Sequence, residues 1–446
     1  MHAPLSIFAA ARDAGDAIGV RTAERAYTFS ELAELTRPRV DALSAEVVSG
    51  MPHPLVASNS LESLVTLYAL LELGIPVLLI HPLLTPPERT NLLARAKRAG
   101  HVPHPDAAAI IYTSGTAGEP RGAVLTRRAL IASANAHAAN VVWEAGDCWL
   151  LCVPLARIGG LSIVTRCLSA RRCVALAPGF DANLVPEWIA AHRVTLASMV
   201  PTMLTRVLDA SPAWSAPSHL RAILVGGAAA SPRLLNQAID RRVPIVVTYG
   251  LTETCSQVTA TPYAARFAPE EWGAGIPLTG IDVRICDGRI EVKGAVLMAG
   301  YWSEGPLAED AWFDTGDLGT IDPGGRLHVH ARRADLIVTG GENAYPAEVE
   351  RTLEAFPGIA AAGVFGVPDE EWGHTVAAVL VANGEPPPDS ALVEYISQEL
   401  APHKRPRHVY YVSTLPHAAT GKLDRAALAG MAGALRPLIS RGDAPA

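Results

Sequence analysis

Between residues 112 and 122 the chain reads Tyr-Thr-Ser-Gly-Thr-Ala-Gly-Glu-Pro-Arg-Gly. Hydroxyls stand at Thr113, Ser114 and Thr116, glycines at Gly115, Gly118 and Gly122, and a cation at Arg121. Glycines let backbone N–H groups approach an anion, hydroxyls add donors, and a guanidinium neutralises charge, so such a loop can cradle phosphates. It is not a Walker loop, because no Gly-Lys-Ser/Thr closes it. Taken alone, the string is equally an ordinary Gly/Ser turn. Further along, Thr248-Tyr-Gly-Leu-Thr-Glu-Thr254 offers the Thr252 hydroxyl and the Glu253 carboxylate, a hard oxygen ligand suited to Mg2+. By itself Glu253 reads as a surface charge. Asp317, within Trp312–Gly319, can accept two hydrogen bonds from ribose hydroxyls; the local alternative is an Asp314–Gly316 turn. Gly226-Gly227-Ala228 lets a flat ring lie against backbone, although a Gly pair is commonly a tight turn. Lys422 sits in Pro416-His-Ala-Ala-Thr-Gly-Lys-Leu-Asp-Arg425, a glycine-containing loop. Without context it is a surface lysine.

The elements that must position these groups follow from the apolar pattern. Ala107–Tyr112 is a short apolar strand that delivers the first loop. Trp149–Val153, Cys173–Leu176, Leu196–Met199, Ala222–Val225 and Ile245–Tyr249 read as strands alternating with helices, which predicts α/β layers with largely parallel strands. Upstream, Leu61–Gly74 reads as a helix and Pro76–Ile80 as a buried strand, and Ser30 is expected to cap a helix through Leu32 and Leu35. From Gly280 the texture changes to antiparallel strands joined by Gly/Asp turns: Val283–Cys286, Arg289–Lys293 and Arg326–His330. Ala331–Asp335 is a short polar joint. Beyond it lies an α+β unit of helix Pro346–Ala355, strands Ala360–Val367 and Thr375–Val381, helix Ser390–Leu400 and strand His408–Val412. The expected α/β architecture is a large N-terminal domain over 1–331, of layered αβα sheets with a small β-barrel-like subdomain. A small α+β domain over 332–435 and a frayed tail over 436–446 follow.

Composition narrows the class. A chain of 446 residues, 49% apolar and 18% charged, has material for a packed core and is neither disordered nor fibrous. A net charge of −7 leaves no basic field for a polyanion, so nucleic acid is not an expected partner. Six cysteines without metal spacing read as reduced thiols of a cytoplasmic protein. Met1-His2-Ala3-Pro4 lacks the basic start of a signal peptide. The apolar stretch Leu64–Ile80 carries Glu72 and Pro76 and falls short of a membrane span. Only four of the 37 basic residues are lysine: Lys97, Lys293, Lys404 and Lys422. A lysine kept against such a bias marks a place where a compact point charge serves better than a planar fork.

Together, and in this order, these segments resemble the superfamily of adenylate-forming enzymes, which includes acyl-CoA synthetases, adenylation domains and luciferase. The resemblance runs from about Tyr27 to Arg425. It implies an acid–thiol ligase that uses ATP and Mg2+ to make an acyl-AMP from a carboxylic acid and passes the acyl group to CoA. Thr113, Ser114, Gly115, Thr116 and Arg121 would hold the β- and γ-phosphates. Arg121 stands where the family commonly has lysine, and Ala117 where it has a second threonine. Gly226, Gly227 and Ala228 would line the adenine pocket with Tyr249 stacked on the base, and Asp317 would take the ribose with Arg332 assisting. Thr252 would meet the α-phosphate, Glu253 the metal, and Lys422 the charge around carboxylate and α-phosphate. The small domain would be a mobile cap pivoting at Ala334, with Gly340 and Gly341 lining the pantetheine tunnel. In-line attack at phosphorus needs positioning and charge stabilisation rather than a nucleophilic side chain.

The acid is read from Val153-Pro-Leu-Ala-Arg-Ile-Gly-Gly-Leu-Ser162 and Arg166. The family's aromatic-His pair is here Ala156 and Arg157. No aspartate lies between Pro154 and Ser162 to hold an α-ammonium, which argues against an amino acid. Arg157 and Arg166 point to an acid with a second negative charge, although each arginine could instead be ion-paired or on the surface; Gly160 and Thr248 are counted with them as substrate-binding residues. Within the family these segments are most similar to the o-succinylbenzoate–CoA ligases of menaquinone biosynthesis, which implies an aromatic dicarboxylate. Another aryl or short acyl acid stays open, as do a nucleotide-binding relative that no longer catalyses and a homo-oligomer.

Overall fold

The computed structural model describes residues 3–46, 50–84, 86–102, 104–113, 120–268, 272–308, 310–332, 335–339, 342–369, 372–400, 402–418 and 423–438. Four sheets organise them. The largest has nine strands in the order Ile276–Pro277, Ser256–Ala260, Ile245–Leu251, Ala222–Gly226, Leu196–Met199, Cys148–Leu151, Cys173–Leu176, Ile18–Arg21 and Ala26–Thr28. Its interior pairings are parallel and its margins antiparallel. The expected alternation of strands and helices is therefore found. Cys148–Leu151 and Cys173–Leu176 are buried at every position, as parallel strands covered on both faces must be, and so read as unbroken apolar runs.

A second sheet has the order Gly305–Pro306, Gly300–Tyr301, Arg121–Thr126, Ala107–Thr113, Val77–Ile80 and His53–Val56. The helix Leu61–Leu73 feeds it. Ser60 caps that helix by accepting the Ser63 N–H, and Gly74 ends it in the left-handed region at φ 69°. The texture change at Gly280 is a four-stranded antiparallel sheet: Ile281–Cys286, Arg289–Gly294, Phe313–Ile321 and Leu327–Arg332. The fourth sheet joins Glu342–Ala344, Ile337–Thr339, Gly373–Ala382, His408–Tyr411 and Arg436–Pro437, with Ile359–Asp369 also paired to Gly373–Ala382. The helices Pro346–Ala355 and Asp389–Glu399 pack on it around Val349, Leu353, Leu392 and Ile396.

Two local expectations are corrected. Ser30 is not a cap but lies inside the helix Phe29–Glu46. The cap is Thr28, whose hydroxyl accepts the Glu31 N–H at 3.2 Å while the Glu31 carboxylate accepts the Thr28 N–H at 2.8 Å. This reciprocal box starts the helix earlier than a lone serine would. The tail expected from 436 begins as structure: Arg436–Pro437 pairs with His408–Tyr411, Arg436 is ion-paired to Asp389, and Leu438 is buried in the core of the small unit. All six cysteines are free thiols, five of them buried. Among the described residues no helix is long and apolar enough to cross a membrane.

Candidate active site

The parallel strands Ala222–Gly226 and Ile245–Leu251 end side by side, so residues 226–228 and 248–253 emerge at one edge of the large sheet, the end at which α/β sheets present ligands. The backbone needs its glycines here. A side-chain carbon on Gly226 would lie 2.7 Å from the Thr248 carbonyl oxygen, and one on Gly250 would lie 1.7 Å from that of Ser256. Gly227 takes φ 81°, and Ala228 beside it is exposed. The strand then turns through Thr252–Thr254, and Cys255 and Ser256 adopt φ 51° and 97°, left-handed values that non-glycine residues hold only under constraint. The constraints are the Thr254 hydroxyl, which accepts the Leu251 N–H at 3.0 Å, and the Glu253 carbonyl, which accepts the Met298 N–H at 2.8 Å.

This turn brings Glu253 to the second sheet. Thr113, the last residue of its strand, donates its hydroxyl to Glu253 Oε1 at 3.3 Å, and the Tyr301 hydroxyl donates to the same oxygen at 2.9 Å. Arg121 stands beside them with its guanidinium 3.5 Å from the Tyr301 ring centroid and its Nε 2.6 Å from Glu304 Oε1. Among the described residues no cluster of three metal-binding side chains exists. One carboxylate amid hydroxyls fits Mg2+ carried in on a nucleotide, an ion that takes one or two carboxylates and fills its shell with phosphate and water oxygens.

On the other side of the turn the Tyr249 hydroxyl donates to Asp317 Oδ2 at 2.7 Å. Asp317 is buried, and its strand sets it directly opposite Arg332. Thr252, Glu253, Tyr249, Asp317, Gly226 and Gly227 are thus brought to one edge.

A third group lies beneath it. The Thr248 hydroxyl donates to the Thr259 carbonyl at 2.7 Å and accepts from Gln257 Nε2 at 3.1 Å, while Gln257 Oε1 lies 3.0 Å from His137 Nδ1. Burial, reinforced by Arg166, holds the His137 imidazole neutral, well below its ordinary pKa. Arg166 is 2% exposed. Its Nη2 donates to the Ser133 hydroxyl at 3.1 Å, which donates on to the Cys255 carbonyl at 2.7 Å. No carboxylate pairs with it among the described residues, its Nε has no partner among them, and burial pushes its pKa down to about 9. Arg157 stands at the N-terminus of the helix Ile158–Ala170, half-buried, its Nε likewise unpartnered among the described residues and its pKa lowered by burial. Gly160 lets that helix close on the preceding turn, since a side-chain carbon would lie 2.3 Å from the Pro154 carbonyl oxygen.

Ser114, Gly115, Thr116, Ala334, Gly340, Gly341 and Lys422 lie outside the described residues, and of Arg332 only the backbone is described. The stems flanking Lys422 are clear. His417 and Leu423 form an antiparallel bridge, the Asp424 N–H donates to the Pro416 carbonyl at 3.0 Å, and Asp424 caps the helix Arg425–Ala429. Arg425 is ion-paired to Glu350 at 2.6 Å and to Asp335 at 3.4 Å. Sequence reasoning missed Tyr301, Glu304, His137 and Gln257. Nothing local distinguishes them, because each acts through partners far away in the chain.

Known proteins are similar to this chain in sequence and in fold. Residues 96–302 match the family model of AMP-binding enzymes, and residues 348–422 match that of the AMP-binding enzyme C-terminal domain. A 2-succinylbenzoate–CoA ligase from Bacillus licheniformis is 40% identical over 335 residues, which cover 72% of this chain and 69% of that protein. One from Bacillus mycoides is 36% identical over 334 residues with the same coverage. The structure of o-succinylbenzoate CoA synthetase from Bacillus subtilis in complex with its acyl-adenylate intermediate superposes with a TM-score of 0.84 at 30% identity, covering 95% of this chain and 97% of that one. The ATP-bound MatB from Rhodopseudomonas palustris gives a TM-score of 0.85 at 26% identity, covering 97% and 99%. With both family models matched and a relative 40% identical across 69% of its length, the chain belongs to the family of AMP-binding, adenylate-forming enzymes.

Proposed function

We propose that the chain activates 2-succinylbenzoate with ATP and transfers the acyl group to CoA. The observation that carries the choice of acid is Arg166, a fully buried guanidinium with no acidic partner among the described residues. Unpaired buried charge is costly, and a second carboxylate on the substrate offsets that cost. The names of the relatives agree with an aromatic dicarboxylate.

In this reading the nucleotide lies along the edge formed by Gly226–Ala228, Tyr249 and Asp317. Asp317, oriented by the Tyr249 hydroxyl, accepts the ribose hydroxyls, with Arg332 assisting. Thr113, Ser114, Gly115, Thr116 and Arg121 receive the β- and γ-phosphates. Glu253 would hold the nucleotide's Mg2+, which neutralises phosphate charge. Thr252 donates to the α-phosphate. An oxygen of the succinyl carboxylate attacks the α-phosphorus and pyrophosphate leaves. The sulfur of CoA then attacks the acyl carbon and AMP leaves. Lys422 balances charge in the first step, and the unit over 332–435 pivots at Ala334 between the two, with Gly340 and Gly341 lining the path of the pantetheine arm. Arg166 neutralises the ring carboxylate, Arg157 adds charge at the mouth, and Gly160 and Thr248 shape the wall. Free buried thiols support a reducing, cytoplasmic setting.

The test is a panel of carboxylic acids with ATP, Mg2+ and CoA, scored by AMP release and thioester mass. The 2-succinylbenzoate thioester is expected. A thioester from a fatty or simple benzoic acid, and none from 2-succinylbenzoate, overturns the choice of acid but keeps the class. Carboxylate-dependent exchange of labelled pyrophosphate into ATP separates both from a relative that binds nucleotide without catalysis.

A further inference from the structure

We propose that Tyr301 is a positioning residue that sets both the phosphate-loop cation and the metal-binding carboxylate with one side chain. The proposal rests on the reading that Glu253 holds the Mg2+ of ATP. Tyr301 is locked by its backbone. Its strand Gly300–Tyr301 pairs antiparallel with Arg121–Thr126, with Tyr301 opposite Ala123, and is flanked by two further main-chain bonds: Trp302 N–H to Gly122 and Ala299 N–H to Val124, both at 2.8 Å. The ring is therefore held against the strand that carries Arg121.

Each part of the side chain has a separate task. The ring face carries the Arg121 guanidinium at 3.5 Å, while Glu304 grips the same guanidinium through two of its nitrogens, Nε at 2.6 Å and Nη2. Only a planar fork can stack and be gripped in this way, which gives a physical reason for arginine rather than lysine at position 121. The Tyr301 hydroxyl, together with that of Thr113, saturates Glu253 Oε1. Among the described residues no group donates to Oε2. A carboxylate with one oxygen fixed by two neutral donors presents the other in a set direction, the usual part of an outer-shell partner in a metal site.

The test is calorimetric titration of the full-length protein with ATP, at graded Mg2+ and in EDTA. Tyr301→Phe keeps the ring and the stack and removes only the hydroxyl. Its midpoint in Mg2+ is expected to rise about tenfold or more, as is typical when a ligand loses such a partner, while ATP affinity in EDTA stays at the wild-type value. Tyr301→Leu is expected to weaken ATP binding in EDTA as well, because Arg121 loses its platform. Glu253→Gln must abolish the Mg2+ dependence. If it does not, the metal reading of the site is wrong and this inference goes with it. If it does, yet Tyr301→Phe leaves the Mg2+ midpoint unmoved, the inference alone is overturned.

Discussion

Arg166→Met should make the protein more stable and, towards its acid, much worse. Arg166 sits 2% exposed, against Trp149 and the Ser133 hydroxyl, with its pKa pushed down from the ordinary guanidinium range to about 9 by burial. At about 1.36 kcal/mol per pKa unit, that displacement corresponds to a cost on the order of 5 kcal/mol. The folded value lies below the unfolded one, so the cost is present in full at neutral pH and fades only as pH rises through about 9 and beyond. Methionine fills a similar length without the charge, and Ser133 keeps its bond to the Cys255 carbonyl. The ligand-free variant is therefore expected to gain roughly 1–4 kcal/mol, as when a buried ionic group gives way to an apolar one. The second carboxylate of the acid then loses its partner. Truncating one side of a buried charge pair costs about 2–5 kcal/mol, or roughly 30-fold to several thousand-fold in kcat/KM. The same acid without its ring carboxylate should react about as well with the variant as with the wild type. Urea unfolding of the ligand-free protein and steady-state kinetics with the two acids read both halves. A variant that is less stable and still prefers the dicarboxylate would refute the reasoning.

Lys422→Ala is expected to lower the adenylation rate by about 10²–10³, the usual loss on removing one charge-stabilising contact, with ATP affinity retained; pyrophosphate exchange beside calorimetry checks it. Tyr249→Phe removes the donor that orients Asp317. A hydrogen bond to a charged group contributes about 1.5–3 kcal/mol, so the KM for ATP should rise about tenfold or more while the KM for the acid holds. Glu354 has its carboxyl pushed up to about 7 by burial first, with Glu350 adding to the shift. Its folded value is raised, so its contribution to stability is full below the ordinary carboxylate range and is lost as pH rises through about 7. Glu354→Gln should flatten that slope and stabilise the protein at about pH 8 by on the order of 1–3 kcal/mol, measured by urea unfolding across pH.

Much of the frame was legible because strands such as Cys148–Leu151 and Cys173–Leu176 are buried at every position and announce themselves as short apolar runs. Cys173–Leu176, Leu196–Met199 and the helix Pro346–Ala355 were read to their ends. Local chemistry decided the misses. Thr28 outcompetes Ser30 because Glu31 can reach back to it, and Arg436–Leu438 is ordered because Leu438 is apolar enough to enter the core beneath it. At the site, residues in glycine- and hydroxyl-rich strings at strand ends could be singled out. Partners made by sheet pairing could not. Glu304 meets Arg121 across 183 residues and Tyr301 meets Glu253 across 48, contacts that exist only once Gly300–Tyr301 lies beside Arg121–Thr126. His137 and Gln257 were hidden for the same reason, since their pairing joins a helix to a strand 120 residues on.

The ion pairs of Arg425 have a mechanical consequence. They tie the first turn of the last helix to Glu350 on the helix Pro346–Ala355 and to Asp335, the last residue of the joint. A lever needs stiffness between fulcrum and load, and this triangle of charges supplies it: in the proposed swing, torque entering at Asp335 would reach the His417 and Leu423 stems with little slack to absorb it. In the swing proposed above the small unit would move as one arm, and the angle chosen at its root would dictate where its far end arrives.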